Sequence, residues 1–517
     1  MSRFNPKSQA EKTLNFEGGE SFKVSPEMKL YTIVCTSLLT PQFYVPSTND
    51  QLNKIKSLIN KVDPIFVAKL AIYARENMNL RTIPLVLTVE LAKKHNSTSL
   101  VRKLTNRVIK RADEITELLA YYVKSNPSNK EEIGGQYKCL RKLSSQIKKG
   151  VADSFHRFNE YQFAKYNRDS EIKLRDALFI SHPKPAFPEE EELFKKIASN
   201  TLMTPYTWET QLSEAGKTGR SKKEVWEELI DSGKLGFMAM LRNLRNFQKE
   251  EISPKHIVKV CNRLTNVDEV RNSKQLPFRF LSAYRSLVGL DGRIPTSESF
   301  NMAYSPFLNA LEKAVKISTE NIPMFKDEKI FIASDVSGSM IKEVSPKSTI
   351  MNYDIGLLLS FLVKNVCKDA TIGVFGSEWA TLDSLYEIKE DKPLANVANS
   401  YKIEGKVGYA TNGYKALDYA MDKEFDRLFF FTDCVLYDSG MYRNNSNSFD
   451  KRWSRYHQLH PNAKLYVFNL APYGLSPIDI RQKNRYLISG WNDSIFQVIN
   501  SLEKGSDALK AIYGVEI

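Results

Sequence analysis

Along the first 330 residues, apolar positions recur at spacings of three and four, the pattern of helices that each bury one face. The stretches 28–39, 50–62, 65–77, 83–95 and 99–124 carry it, separated by Asp63-Pro64, Leu80-Arg81-Thr82 and Asn96-Ser97. Further helices are predicted at 171–181, 207–215, 225–230, 235–247, 254–265, 277–288 and 308–321, and Pro183 and Pro185 must end the first of these. Helices of this length joined by tight turns predict a stacked all-α array, without a clean sequence period. From Lys329 the rhythm changes. Short apolar runs at 330–334, 371–375, 427–432 and 464–470 read as buried strands that alternate with helical patterns near 352–368, 411–423 and 491–511. This alternation predicts a doubly wound α/β sheet, with a β-hairpin expected within 381–406. The 517-residue chain therefore reads as multidomain, helical at 1–325 and α/β at 326–517.

The α/β part carries the most specific chemistry. Residues 329–340 read KIFIASDVSGSM, an apolar run that ends in Asp335, Ser337 and Ser339, with Gly338 making the turn. Residues 426–433, DRLFFFTD, repeat the design and end in Thr432-Asp433. Between them, Gly408-Tyr409-Ala410-Thr411-Asn412 leads into a helical pattern. Ligands of open α/β sheets collect at the carboxyl ends of the strands, so Asp335, Ser337, Ser339, Thr411 and Asp433 are expected to converge there. Oxygen donors without His or Cys suit a hard divalent cation, Mg2+ first and Mn2+ second. The plainer reading is helix capping by Asp and Ser. No G-x-G-x-x-G follows a strand and there is no Gly-Lys-Ser/Thr loop, so nucleotide binding lacks support. A metal-dependent nuclease lacks both a second carboxylate cluster and a general base.

Charge changes the picture of the helical part. The chain carries a formal +14; residues 1–320 hold 51 Lys and Arg against 36 Asp and Glu, and residues 321–517 hold 23 against 24. The basic excess thus belongs to the helices and points to a polyanionic partner, a soluble basic surface being the bland alternative. Lys148, Lys149, Arg157, Lys165 and Arg168 lie in a Lys/Arg-rich stretch and are candidates to face phosphates. Phe155, Phe158, Tyr161 and Phe163 of the same stretch read as core, and the acidic run 189–192 as a solvated face. Arg242 and Arg245 share one face of the 235–247 pattern, which would be costly to bury unpaired and is expected to line a cavity or groove. Arg279 and Arg285 on the 277–288 pattern are further candidates. Cys35, Cys139, Cys261, Cys367 and Cys434 are scattered without a C-x-x-C pair, which argues for a reducing, cytoplasmic setting and against a thiolate metal site. No apolar run approaches the roughly 20 residues of a membrane span, and the first residues lack the apolar core of a secretory signal.

These motifs carry a resemblance. Asp-x-Ser-x-Ser, a separated Thr and Thr-Asp resemble the metal-ion-dependent adhesion site of von Willebrand factor A domains. KKGVADSFHRFNEYQFAKYN at 148–167, SHPKP at 181–185, TWETQLSEAG at 207–216 and LGFMAMLRNLRNF at 235–247 resemble the TROVE domain of the Ro 60 kDa ribonucleoprotein family, whose bacterial members are Ro orthologues. The resemblance implies a HEAT-like helical-repeat ring joined by an A domain and acting as a monomer. It implies binding of a small noncoding Y-type RNA on the basic outer surface and of single-stranded 3′ ends of misfolded RNA in a central hole. The role implied is RNA quality control without catalysis, with a 3′-to-5′ exoribonuclease as a tethered partner. For the ion it implies direct contacts from Asp335, Ser337 and Ser339, direct or water-borne contacts from Thr411 and Asp433, and one position open to a partner's acidic group. It also implies RNA contacts at His182 and Lys165; a family arginine falls on Asp169 here, with Arg168 or Lys173 as substitutes. The alternative function is a metal-dependent protein-interaction scaffold that recruits a partner through the A domain.

Overall fold

The computed structural model describes residues 11–15, 19–36, 50–95, 98–125, 143–167, 170–289, 302–319, 325–344, 348–437, 448–491, 499 and 509–517. The chain forms two compact units, one of Ser37–Glu214 with Leu509–Ile517, the other of Met1–Thr36 with Ala215–Ala508. The division expected at 325/326 follows the change from helix to sheet, whereas compactness groups the helices after Ala215 with the sheet.

The helical unit stacks Asp50–Ile59, Pro64–Glu76, Thr82–Lys94, Leu100–Val108, Ala112–Lys124, Ser145–Phe155, Glu160–Tyr166, Leu174–Ser181 and Pro188–Ser199. Thr82–Lys94 is buried from Thr82 through Ala92, as its apolar residues on every side require. The single helix expected at 99–124 is two helices. Ile109 and Arg111 are extended (φ −74°, ψ 109° and φ −139°, ψ 151°), and the buried Glu114 accepts the N–H groups of Lys110 at 2.8 Å and Arg111 at 3.1 Å. Glu114 also pairs with Arg75 at 2.9 Å and Arg81 at 3.2 Å, so one carboxylate both starts its helix and ties it to Pro64–Glu76. The chain's last helix, Lys510–Tyr513, returns to this unit, with Tyr513 and Phe66 ring centroids 5.1 Å apart.

The sheet-containing unit begins with a hairpin, β1 (Lys12–Leu14) and β2 (Glu20–Phe22), which sequence periodicity did not predict. Its main sheet comprises β3 (Phe325–Asp335), β4 (Cys367–Phe375), β5 (Trp379–Thr381), β6 (Arg427–Thr432), β7 (Lys464–Asn469) and β8 (Arg485–Ser489), in the order β5-β4-β3-β6-β7-β8. All neighbours are parallel except β4 and β5. Both faces are covered. Phe331, Phe430 and Val467 pack with Leu417 of Gly413–Ala420 and Trp453 of Phe449–Leu459. Across the sheet, Ser334 meets Ser360 of Asn352–Asn365 at 2.6 Å between hydroxyls.

Two local expectations change, and one packing feature is new. The hairpin expected within 381–406 is helical after β5: Leu382–Leu385, Pro393–Ala398 and a 3-10 turn at Ser400–Ile403. Pro393 opens the second of these, and the buried Glu312 caps it by accepting Leu394 and Ala395 N–H at 3.0 and 2.8 Å. The helix expected at 235–247 breaks at Asn243 (φ −105°, ψ 9°) into Phe237–Arg242 and Leu244–Lys249. The Asn243 side chain donates back to Ala239 O at 2.7 Å, an Asn side chain competing with the helical ladder. The N-terminal segment packs on the sheet: Phe22 N–H donates to Ser476 O at 2.9 Å, and Tyr31 hydroxyl to Ser489 O at 3.2 Å.

Glu114→Ala leaves Arg75 and two backbone N–H groups without their carboxylate, a buried-pair loss of about 3–5 kcal/mol. The expected outcome is a lower urea midpoint for the helical unit; an unchanged midpoint contradicts the assignment.

Candidate functional site

Parallel pairing of Ser334 with Phe431 brings the carboxyl ends of β3 and β6 level. Asp335 ends β3 and Asp433 follows β6; both are fully buried. Asp335 Oδ1 accepts Ser337 N–H at 3.0 Å and Oδ2 accepts the Thr432 hydroxyl at 2.6 Å. Asp433 Oδ1 accepts Val435 N–H at 2.9 Å. Ser337 precedes the 3-10 turn Gly338–Met340 without a side-chain capping bond, and its hydroxyl lies 3.2 Å from that of Ser339. Gly338 N–H donates to Tyr409 O at 2.9 Å, and Tyr437 N–H to Thr411 O at 2.9 Å. Those two bonds tie the loop bearing Thr411 to the loops bearing the serines and Asp433.

Gly338 is not the residue this turn requires, because a Cβ there would meet Tyr409 only at an ordinary 3.6 Å. The close approach falls at Gly376, where a Cβ would run into the Gly408 carbonyl, and at Gly408, with φ 73°.

Burial raises the Asp335 carboxyl above the ordinary carboxylate range, and the Asp433 charge raises it further; hydrogen bonds from Ser337 and Thr432 pull the other way. The neighbouring Cys434 thiol is buried and raised well above its usual value by burial and by both carboxylates, so it stays protonated and is no nucleophile. Two desolvated carboxylates flanked by hydroxyls make an oxygen-only donor set with excess negative charge, which fits a hard divalent cation. Among the described residues, no group of three or more His, Cys, Asp or Glu is placed to hold a metal. A cation here would draw its other protein donors from Ser337, Ser339 and Thr411. The Thr432 hydroxyl was missed by sequence reasoning, although the Thr-Asp dipeptide was its signal.

The basic candidates separate into surface and structural groups. On the helical unit, Lys149, Lys165, Lys173 and His182 are exposed and Lys148 is half-buried. Lys165 Nζ lies 6.0 and 5.6 Å from the ring centroids of Tyr161 and Tyr166. Tyr161 is 37% exposed, unlike the buried Phe155, Phe158 and Phe163, so the expectation that it is core does not hold. His182 ends Leu174–Ser181 in the left-handed conformation (φ 49°, ψ 57°), its N–H donating to Leu178 O at 2.9 Å. Arg157 is committed elsewhere: Nη2 donates to Ile109 O at 2.6 Å and Ser154 Oγ at 3.2 Å, so the guanidinium ties down the helix that ends there. Glu190 of the acidic run is buried rather than solvated, accepting Ala186 N–H at 2.6 Å and lying 2.7 Å from His156 Nδ1. Arg168 lies outside the described residues.

On the sheet-containing unit, Arg242, Arg245 and Arg279 are exposed. Partial desolvation of the Arg279 guanidinium on this exposed residue, and then the Arg242 charge, lower its pKa. Arg285 corrects the expectation of an RNA contact. It is 2% exposed, and its guanidinium binds both Asp354 oxygens at 2.7 Å, beyond reach of any phosphate.

The sequence model of the TROVE domain matches residues 35–203 and 200–327, more than half of the chain. The chain belongs to the TROVE domain family. Telomerase protein component 1 of Rattus norvegicus is 25% identical over 355 residues, which is 53% of this chain and 13% of that protein. The same protein of Mus musculus is 26% identical over equal shares. The chain thus spans 13% of the length of these curated relatives. The crystal structure of Deinococcus radiodurans RO (RSR) protein is similar in fold, with a TM-score of 0.56 at 15% identity over 93% of this chain and 100% of that one. A helical TROVE region followed by a sheet-containing α/β domain is the architecture the two share. No helix among the described residues of this TROVE chain is long and apolar enough to cross a membrane.

Asp335→Asn removes one of two buried like charges. In the presence of a chelator it is expected to raise the thermal midpoint by about 2–4 °C for each kcal/mol relieved. A lowered midpoint would mean that the carboxylates are compensated by something other than a cation.

Proposed function

We propose that this TROVE protein is the RNA-binding component of a ribonucleoprotein, working by binding and not by turnover. The observation that carries the reading is the TROVE match over residues 35–327. The exposed cations support it: Lys149, Lys165, Lys173 and His182 on one unit, Arg242, Arg245 and Arg279 on the other. Exposed cations of one sign favour a polyanionic partner. The partners of this reading are a small noncoding Y-type RNA on the basic surface and single-stranded 3′ ends of misfolded RNA. A tethered 3′-to-5′ exoribonuclease would consume those ends. The setting is RNA quality control by a cytoplasmic monomer. Contacts to phosphate position RNA without reading its sequence, so discrimination rests on strandedness and shape.

The second part of the proposal concerns the carboxylate site. Asp335, Ser337 and Ser339 hold one Mg2+, with Mn2+ as a substitute, and Thr411 and Asp433 complete the protein's share. The bound ion supplies a Lewis-acidic position that an acidic side chain of a protein partner fills. A scaffold role for the α/β domain therefore operates beside RNA binding, since the two use different residues.

Single-stranded RNA affinity should fall steeply with salt and differ little among unrelated 3′ tails. Replacing both Arg242 and Arg279 by Ala should flatten the log–log salt slope by about 0.7 for each lost phosphate contact and weaken all tails alike. A salt-independent titration contradicts RNA binding. Mg2+ should raise the thermal midpoint of the wild-type chain and leave that of Asp335→Ala unchanged; equal shifts in both contradict the cation site.

A further inference from the structure

The Pro277–Leu287 helix carries two arginines in opposite situations. Arg279 is exposed, within the field of Arg242, and Arg285 is buried against the Asn352–Asn365 helix of the α/β domain. Arg285 Nη1 and Nη2 each donate to Asp354 at 2.7 Å, Nη1 also to Thr349 O at 3.3 Å and Nη2 to Val397 O at 3.2 Å. Asp354 in turn accepts Met351 N–H at 2.9 Å and the Ser400 hydroxyl at 3.3 Å.

Residues 349–351 are the return limb of the loop that leaves Ser339. Val344 N–H donates to Ile350 O at 3.0 Å, Asn352 N–H donates to Lys342 O at 3.0 Å, and Glu343 bridges to Met351. One guanidinium thus holds the return limb through a carboxylate and a carbonyl, and the outgoing limb through the ladder between them. A desolvated bidentate pair tolerates one geometry, because either charge left alone there is strongly penalised. Movement of the serine loop is therefore transmitted to Arg285, and the helix that carries Arg285 carries Arg279.

We propose that the Arg285–Asp354 pair positions the loop bearing Ser337 and Ser339, and so couples cation occupancy at Asp335 to polyanion binding at Arg242 and Arg279. The inference rests on the cation reading above. Ser337, Ser339 and Asp335 would hold the ion, and the loop they share would then be fixed, and with it the Pro277–Leu287 helix. The oligonucleotide then meets arginines that are already ordered, and by linkage it tightens the ion in equal measure.

The test measures affinity for a short oligouridylate at constant ionic strength, with and without saturating Mg2+, and Mg2+ uptake by calorimetry. Asp335→Ala reports the screening of RNA by Mg2+ alone. In the wild-type chain, Mg2+ should tighten oligouridylate binding about 5-fold or more beyond that baseline. Arg285→Lys keeps the charge and loses the bidentate grip. It should fall to the baseline and take up Mg2+ more weakly. Should Arg285→Lys fail to melt cooperatively, Asp354→Glu replaces it, keeping the ion pair while moving the carboxylate away from Met351 N–H. Wild-type Mg2+ uptake without any change in oligouridylate affinity overturns the coupling and leaves the cation reading standing. No Mg2+ uptake by the wild-type chain overturns both. A folded Arg285→Lys with wild-type coupling overturns the role of the pair.

Discussion

Two carboxylates buried at the ends of neighbouring parallel strands set the terms for the sheet-containing unit. The register of β3 and β6 brings Asp335 and Asp433 to the same end of the sheet, where both are fully buried above Phe-rich strands. Like charges in such a place are costly, and the cost is met by opposite charge, by hydrogen bonds or by a proton. Here hydrogen bonds come from Ser337, Thr432 and Val435, and the strained approach of Gly376 to Gly408 brings a third loop to the same end of the sheet. Even the chain's first residues take part, since the Asn15 side chain donates to Leu436 O just beyond Asp433. A site with this much surrounding structure spent on two charges is organised around what neutralises them.

Burial also decides what each arginine is for. Arg242, Arg279 and Arg285 are indistinguishable as residue types and sit in similar amphipathic stretches. Arg285 faces Asp354 and has become part of the frame, while Arg279 is exposed. Hydrogen bonding makes the same division between two exposed residues, Arg157, committed to the Ile109 carbonyl, and Lys165, which lies over two tyrosine rings. A basic excess in the sequence is therefore an upper bound on the binding face, reduced by every cation that holds a carboxylate or a carbonyl inside.

The fold class was legible because its signals are local. Spacings of three and four mark helices wherever one face is buried, and the strand that ends in Asp335 announces itself by an apolar run followed by hydroxyls and a carboxylate. What escaped was set by individual side-chain bonds to the backbone, some local and some from distant elements. The break at Asn243 is legible only as an Asn side chain bonding back to Ala239, and the break at 109–111 only through Glu114. The expected hairpin after β5 is helical because Glu312, far away in sequence, caps Pro393–Ala398. β8 and the N-terminal strands β1 and β2 are short, three to five residues each, too few for an alternation to stand out. For the site, the residue types and the loops could be read, whereas the burial of Arg285 could not, because its partner Asp354 lies in another element.

The central claim is that this chain binds RNA through its exposed cations. Crosslinking the purified protein to the RNA that accompanies it, followed by sequencing of that RNA and mapping of the modified peptides, tests it most directly. The account predicts one abundant structured small RNA, crosslinked to peptides that carry Lys165, Lys173 or His182, and single-stranded ends crosslinked near Arg242 and Arg279. Crosslinking no better than that of an unrelated basic protein would contradict it, and would leave the buried carboxylate site as the chain's functional centre.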